Sequence, residues 1–212
     1  LDNFCFRSGA KILSLGNGVN SDLNVMISEL KDLRTNTKTF ITAQESASQD
    51  MKRWAANEEN RAIQDVAYHV AELNIEWTQV QKDFADHLKE YRQMFEMVLE
   101  GEKQVAQAKM EHSNCEQKEE KLRKDLRKAR KREAKEEAFA IEGKLEQVQT
   151  ERESTAWEAT EVIRENEAVK MIRLKEGFIR MAEAYIELGK KCATIFQAQK
   201  VLAQLAYNSN SC

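Results

Sequence analysis

A chain of 212 residues is long enough for one or two domains, yet 33% charged residues, no proline and only 7 glycines leave few points at which a helix must stop. An apolar share of 42% excludes a disordered chain, and no run approaches the ~20 consecutive apolar residues that a bilayer-spanning helix requires. The formal net charge of −3 hides a partition: Lys and Arg against Asp and Glu number 7 and 6 over residues 1–57, 6 and 13 over 58–116, 10 and 6 over 117–137, and 10 and 11 over 138–212.

Residues 1–21 contain Gly9, Gly16 and Gly18, lack sustained periodicity and read as an irregular lead-in. They carry no basic and apolar signal segment, and the first residue is Leu1, so the chain reads as a piece of a longer protein. Ser21 before Asp22 suits a helix N-cap. Met26, Leu30, Leu33, Thr37, Phe40, Gln44, Ala47, Met51 and Trp54 then follow at alternating steps of four and three, a heptad seam. Asn57 and Asn60 offer turn or cap residues where the seam breaks.

A second seam starts at Ile63 and continues through Trp77, Phe84, His87, Tyr91, Val98, Gly101, Val105, His112, Cys115, Glu119, Leu126 and Ala129, rich in large side chains first and poor later. A third runs weakly from Ile141 to Val169, then slips phase and strengthens through Met171, Leu174, Phe178, Met181, Tyr185, Leu188, Cys192, Ile195 and Leu202. The slip predicts a bend or a change of supercoil. Each long helix of about 70 residues extends about 100 Å at ~1.5 Å per residue. Folded as a hairpin, rich halves meet rich halves and poor halves form a thin arm. Arg130 to Phe139 contains neither Gly nor Pro, so one uninterrupted helix is the alternative.

The expected fold is therefore all-α: an elongated three-helix antiparallel coiled-coil bundle, with helices at about 22–56, 61–130 and 138–206. Its thick end leaves apolar surface that a homodimer would cover, with Trp54, Trp77, Phe84, Phe178 and Tyr185 as the dimer core.

The excess positive charge lies in Lys121, Arg123, Lys124, Arg127, Lys128, Arg130, Lys131 and Arg132, flanked by Lys118 and Lys135. Residues three or four apart share a helical face, so the run makes a cationic arm tip suited to an anionic membrane, each charge contributing about 1 kcal/mol. A solvated face with Glu119, Glu120 and Asp125 as internal partners is the plain alternative. Nucleic acid is disfavoured by the lack of interleaved aromatics and by the acidic stretch over 58–116. Lys31, Arg34 and Lys38 lie on one face of the first helix, opposite part of its seam, and would extend the cationic surface. Phe4, Phe6, Ile12 and Leu13, beside Arg7 and Lys11, suit either a membrane-inserting amphipathic segment or packing along the bundle.

Catalysis has no residues to carry it. His69, His87 and His112 are scattered, with no Glu three residues before any of them, and no glycine-rich phosphate loop, Gly-x-Ser-x-Gly or HExxH occurs. His87 and His112 fall on the seam, which suits packing or pH-sensitive roles. Cys5, Cys115, Cys192 and Cys212 form no CxxC pair, which points to a reducing, cytosolic setting; neither metal nor cofactor is implied.

One short and two long helices, a thick dimerising end and a basic tip resemble the plan of the BAR-domain superfamily. Phe6-Arg7-Ser8 in the lead-in, Trp54, Glu72-Leu73, Tyr91-Arg92 and the stretch from Ile186 to Lys191 resemble its eisosome core-component type, found in fungi. The ciliary-base BAR family of animals is a comparable second resemblance. The eisosome type tends to carry a proline-bearing loop at the tip, where this chain has Lys131-Arg132-Glu133-Ala134-Lys135-Glu136-Glu137. The resemblance implies a curved homodimer on the cytoplasmic face of an anionic membrane, sensing or generating curvature, binding phosphoinositides and assembling into lattices. The competing expectation is a coiled-coil scaffold that binds only protein.

Overall fold

The computed structural model describes residues 20–209. Three helices account for nearly all of them: α1 (Ser21–Ala55), α2 (Arg61–Lys131) and α3 (Lys135–Ser209). They pack as two compact units, one comprising residues 22–96 with 174–209, the other Met97–Arg173.

The α1–α2 connection is held by the asparagines. Asn57 Nδ2 donates to the Arg53 carbonyl at 3.0 Å, and Asn60 Oδ1 accepts from the Ala62 and Ile63 amides at 3.0 and 3.4 Å. Asn60 is thus the N-cap of α2, satisfying donors that a helix start leaves without partners.

In the first unit α1 runs antiparallel to α2, with Arg34 on Asp86 at 3.2 Å, Lys82 on Glu45 at 2.8 Å and Lys52 on Glu72 at 3.3 Å. Arg34 Nε also donates to the Ala85 carbonyl at 3.0 Å, and Lys52 Nζ stands 4.3 Å above the Tyr68 ring. Apart from Ile41, the residues closed off from solvent along this contact are small. Ile41, Ser48 and Ala55 are buried on α1, and Ala71, Thr78 and Ala85 at the same seven-residue spacing on α2. The two hydroxyls bond to their own helix, Ser48 Oγ to the Gln44 carbonyl at 2.8 Å and Thr78 Oγ1 to the Ile75 carbonyl at 2.6 Å, so neither is stranded.

This corrects the α1 seam expected from the sequence. Leu30, Thr37, Gln44 and Met51 are half-buried, but the alternating inward positions are 34, 41, 48 and 55 rather than 33, 40, 47 and 54. Leu33, Phe40 and Trp54 remain about half exposed. Close approach of two helices selects small side chains, whereas a pattern search selects large ones.

Along α2–α3 the same unit is held by aromatic contacts: Trp77 on Phe196, Phe84 on Tyr185, and Tyr91 and Phe95 on Phe178, with ring centroids 4.8–6.3 Å apart. Gly177 faces Met94, and a Cβ added there would meet the methionine Cε at 2.7 Å. The expected phase slip in α3 is absent as such: α3 is one helix, half-buried at Lys170, Arg173 and Gly177 and buried at Met181 and Ala184, while Met171 is exposed and Phe178 and Tyr185 lie at the flank of the contact, half exposed. A lysine and a glycine in the contact face conceal its continuity.

The second unit is a two-helix hairpin with a narrow apolar core of Val98, Leu99, Val105, Cys115, Leu126, Ala129 and Ala159. It closes in a tight turn. Glu133 N–H donates to the Arg130 carbonyl at 3.2 Å and Ala134 N–H to the Ala129 carbonyl at 3.1 Å, the paired bonds of a Schellman motif, with Glu133 at φ 57 in the left-handed position. Glycine normally fills that position because a side chain is strained there. We therefore expect Glu133→Gly to stabilise the protein by about 1 kcal/mol, read as a raised urea midpoint with unchanged helicity. A lowered midpoint would show that the Glu133 side chain contributes more than its backbone strain costs.

Candidate lipid-binding surface

The basic end of α2 is ordered by the contact on its opposite side. Glu119, Leu126 and Ala129 are buried toward α3, and Lys121, Lys124, Arg127, Lys128 and Lys131 are all exposed. At 3.6 residues per turn those five side chains lie on the half of the helix turned away from the buried ones, forming a stripe about three turns long.

Its charges are only partly neutralised. Lys124 pairs with Glu120 at 2.7 Å and Lys128 with Asp125 at 3.2 Å, both exposed contacts of small value, while Arg123 reaches Glu119 and Arg130 reaches Glu142, each at 2.6 Å. Among the described residues, Lys118, Lys121, Arg127, Lys131, Arg132 and Lys135 make no ion pair. The first helix contributes less than its sequence suggested. Lys31 and Lys38 are exposed, but Arg34 faces α2 and is engaged by Ala85 and Asp86, so it lies within the contact rather than opposite it.

What holds the stripe in place is a set of polar cross-links between α2 and α3. Glu119, with a side chain only 5% exposed, accepts from Gln149 Nε2 at 3.1 Å and pairs with Arg123 and with Arg152 at 3.0 Å. The Gln149 amide, then the Arg123 and Arg152 charges, hold its carboxyl below the usual range against the opposing effect of burial. Glu102 is held low in the same way, first by Lys170 at 2.7 Å and also by Asn166 at 3.1 Å. Lys170 is raised in turn by Glu102 and Glu167. Gly101 lets Asn166 approach, because a Cβ there would collide with its amide. The sequence showed Glu119 on the seam but gave no sign of its partners; Lys170 was missed because a lysine does not register as a contact position.

Of the residues expected at a dimer core, Trp77 and Phe84 are half-buried within one copy, while Trp54, Phe178 and Tyr185 are 54%, 50% and 53% exposed. Ile179 and Ile186 extend the exposed α3 surface. Phe4, Phe6, Ile12 and Leu13 lie outside the described residues. His87 does not take its expected seam position: its side chain is half exposed beside Glu90 at 3.9 Å. His112 is half-buried on the α3 side, with Nδ1 3.4 Å from Thr155 Oγ1 and Nε2 3.4 Å from Glu116. Among the described residues no group of three His, Cys, Asp or Glu side chains could hold a metal ion, and no helix is long and apolar enough to cross a membrane.

A family model described as eisosome component PIL1 matches residues 10–210. The chain belongs to this family. It is a family of membrane-associated scaffolds with a BAR-domain fold rather than of enzymes. The fold is independently supported by the N-terminal I-BAR domain of D. discoideum IBARa, 16% identical, which matches 95% of this chain and 88% of its own at a TM-score of 0.54. The Imp2 F-BAR domain is also similar, at 12% identity, coverage of 97% and 79%, and a TM-score of 0.39. No curated protein matches. Membership of the eisosome family decides between the two BAR types that the sequence resembled. It also shows that the proline-free tip is compatible with that family, the left-handed Glu133 closing the turn instead.

The lowered carboxyls of this eisosome-family chain set a pH dependence. With folded values below the ordinary 4.5, Glu102 and Glu119 contribute their full stabilisation above that value and lose it as pH falls through the folded values. Thermal unfolding from about pH 7 to about pH 3 is expected to show a falling midpoint at the acid end. Glu119→Gln is expected to lower the midpoint near neutrality and flatten that acid slope; an unchanged slope would show that Glu119 does not contribute to it.

Proposed function

We propose that this chain is a peripheral membrane protein that binds anionic lipid, of the phosphoinositide class, through the outward stripe of α2, and that it acts as a homodimer on the cytoplasmic face of the plasma membrane. Curvature sensing or generation, and assembly of dimers into a lattice, follow from the same family reading. The observation that carries it is the stripe: Lys121, Lys124, Arg127, Lys128 and Lys131 exposed together on the helix side opposite buried Glu119, Leu126 and Ala129. At about 1 kcal/mol for each cation near an anionic leaflet, five acting together exceed what holds a soluble protein at random on a surface. Lys31 and Lys38 add to this, and Arg34 adds least because Asp86 and the Ala85 carbonyl already engage it.

Self-association is supported by the apolar surface of the first unit. Phe178, Tyr185 and Ile186 on α3 and Leu33, Phe40 and Trp54 on α1 recur at multiples of seven residues, apart from the adjacent Tyr185 and Ile186, and stay roughly half exposed. Large apolar side chains left exposed at a regular helical spacing favour an interface.

Replacing Lys121, Lys124, Arg127, Lys128 and Lys131 by Glu is expected to weaken binding to phosphoinositide-containing vesicles by about a thousandfold or more while leaving helicity and self-association intact. Wild-type binding is expected to weaken as added salt screens the charge. Unchanged co-sedimentation of the variant would remove the stripe from the binding site. A protein that ignores acidic vesicles at low salt would instead be a protein-only scaffold. Separately, Tyr185→Glu with Ile186→Glu is expected to give a monomer in sedimentation equilibrium; a persisting dimer would place the interface elsewhere.

A further inference from the structure

Arg127 is exposed on the outward side of α2 and makes no ion pair among the described residues. Its neighbours on the helix surface, three and four residues to either side, are Arg123, Lys124, Arg130 and Lys131, every one a cation. Arg123 holds buried Glu119 at 2.6 Å, Lys124 holds Glu120 at 2.7 Å and Arg130 holds Glu142 at 2.6 Å. Lys131 holds no carboxylate, and Glu133, Glu136 and Glu137 around the turn pair with none of these cations among the described residues. Five cations thus meet three carboxylates, and the excess rests on Arg127 and Lys131, one turn apart. Lys121, by contrast, has Gln117 and Asp125 among its helical neighbours.

Like charges at these spacings destabilise a helix, and Arg127 meets them on both sides. A bound anion would offset that repulsion. The guanidinium is a planar fork that takes a phosphate through two parallel N–H donors, and a lysine one turn away adds a point charge for a second phosphate. Glu120 lies seven residues before Arg127 on the same line of the helix, about 10 Å away, beyond the ~8 Å screening length at physiological ionic strength. A leaflet of singly charged lipids laid along this line meets that carboxylate; a compact polyanion on Arg127 and Lys131 does not. We propose that Arg127 and Lys131 form a site for one polyphosphorylated lipid headgroup, with Lys124 and Arg130 flanking it. The proposal rests on the lipid-binding reading above and narrows it from a diffuse stripe to a headgroup site.

The test compares wild-type protein, Arg127→Gln and Lys121→Gln on phosphatidylcholine vesicles carrying either phosphatidylinositol bisphosphate or phosphatidylserine, matched in total lipid charge. Both side chains are exposed and glutamine suits a helix, so the urea midpoint of Arg127→Gln is expected not to fall; a fall would show that Arg127 supports the fold, and would overturn the site. Arg127→Gln is expected to weaken binding to the bisphosphate vesicles by about thirtyfold or more and to the serine-lipid vesicles by about fivefold, whereas Lys121→Gln weakens both by about fivefold. Equal losses for the two variants on both vesicle types would overturn the site and leave the stripe as a diffuse cationic surface. If soluble inositol trisphosphate binds the wild type in calorimetry as tightly as the bisphosphate vesicles do, the ligand is a soluble polyphosphate and the lipid assignment is overturned. Wild-type protein that binds neither vesicle at low salt would bring down the lipid-binding reading itself.

Discussion

A carboxylate closed off from water between two helices must be neutralised where it stands, and in the unit formed by Met97–Arg173 that requirement fixes how α2 and α3 align. Glu119 finds Gln149 and Arg152 on α3 and Arg123 on its own helix; Glu102 finds Asn166 and Lys170. A slip of one heptad would leave buried Glu119 and half-buried Glu102 against the wrong residues. The apolar contacts here are few, and leucine, valine and alanine in a thin two-helix seam discriminate weakly between registers. Polar cross-links with defined geometry discriminate strongly.

The same alignment governs the surface. With Glu119 turned inward and engaged by Arg123, Gln149 and Arg152, the stripe from Lys121 to Lys131 faces outward with Lys121, Arg127 and Lys131 making no ion pair among the described residues. An acidic residue in the seam and a basic surface on the far side are therefore two consequences of one helix rotation. Had α2 been rotated so that Lys124 or Lys131 faced α3, buried cations would have replaced the buried acid, and the outward face would have carried mixed charge.

In the other unit the decisive constraint is steric. Ile41, Ser48 and Ala55 against Ala71, Thr78 and Ala85 bring α1 and α2 close, which displaces the bulky Leu33, Phe40 and Trp54 to the flank. Gly177 and Ala184 do the same on α3, leaving Phe178 and Tyr185 with one ring face on α2 and the rest in solvent. Packing the small side chains inside thus creates the apolar ridges on which self-association is proposed. For a scaffold of the eisosome family this division is economical: backbone proximity stabilises the single copy, and large side chains remain for contacts beyond it.

By itself the sequence determined three helices, their order, the α2 seam from Val98 to Ala129 and the cationic character of residues 117–137, because heptad spacing and net charge are local properties. Asn60 was also legible, since a cap is a local hydrogen bond. What only tertiary structure decided was rotation and closure. Whether 33 or 34, and 170 or 171, faces a neighbour depends on which side chains the neighbour presents: Asp86 and a backbone carbonyl for Arg34, Glu102 for Lys170. The turn was placed by the break between the two long seams, but its closing residue, Glu133, was not legible, because a left-handed residue that is not glycine leaves little trace in the sequence. It forms because the antiparallel contact of the two long helices outweighs its local strain.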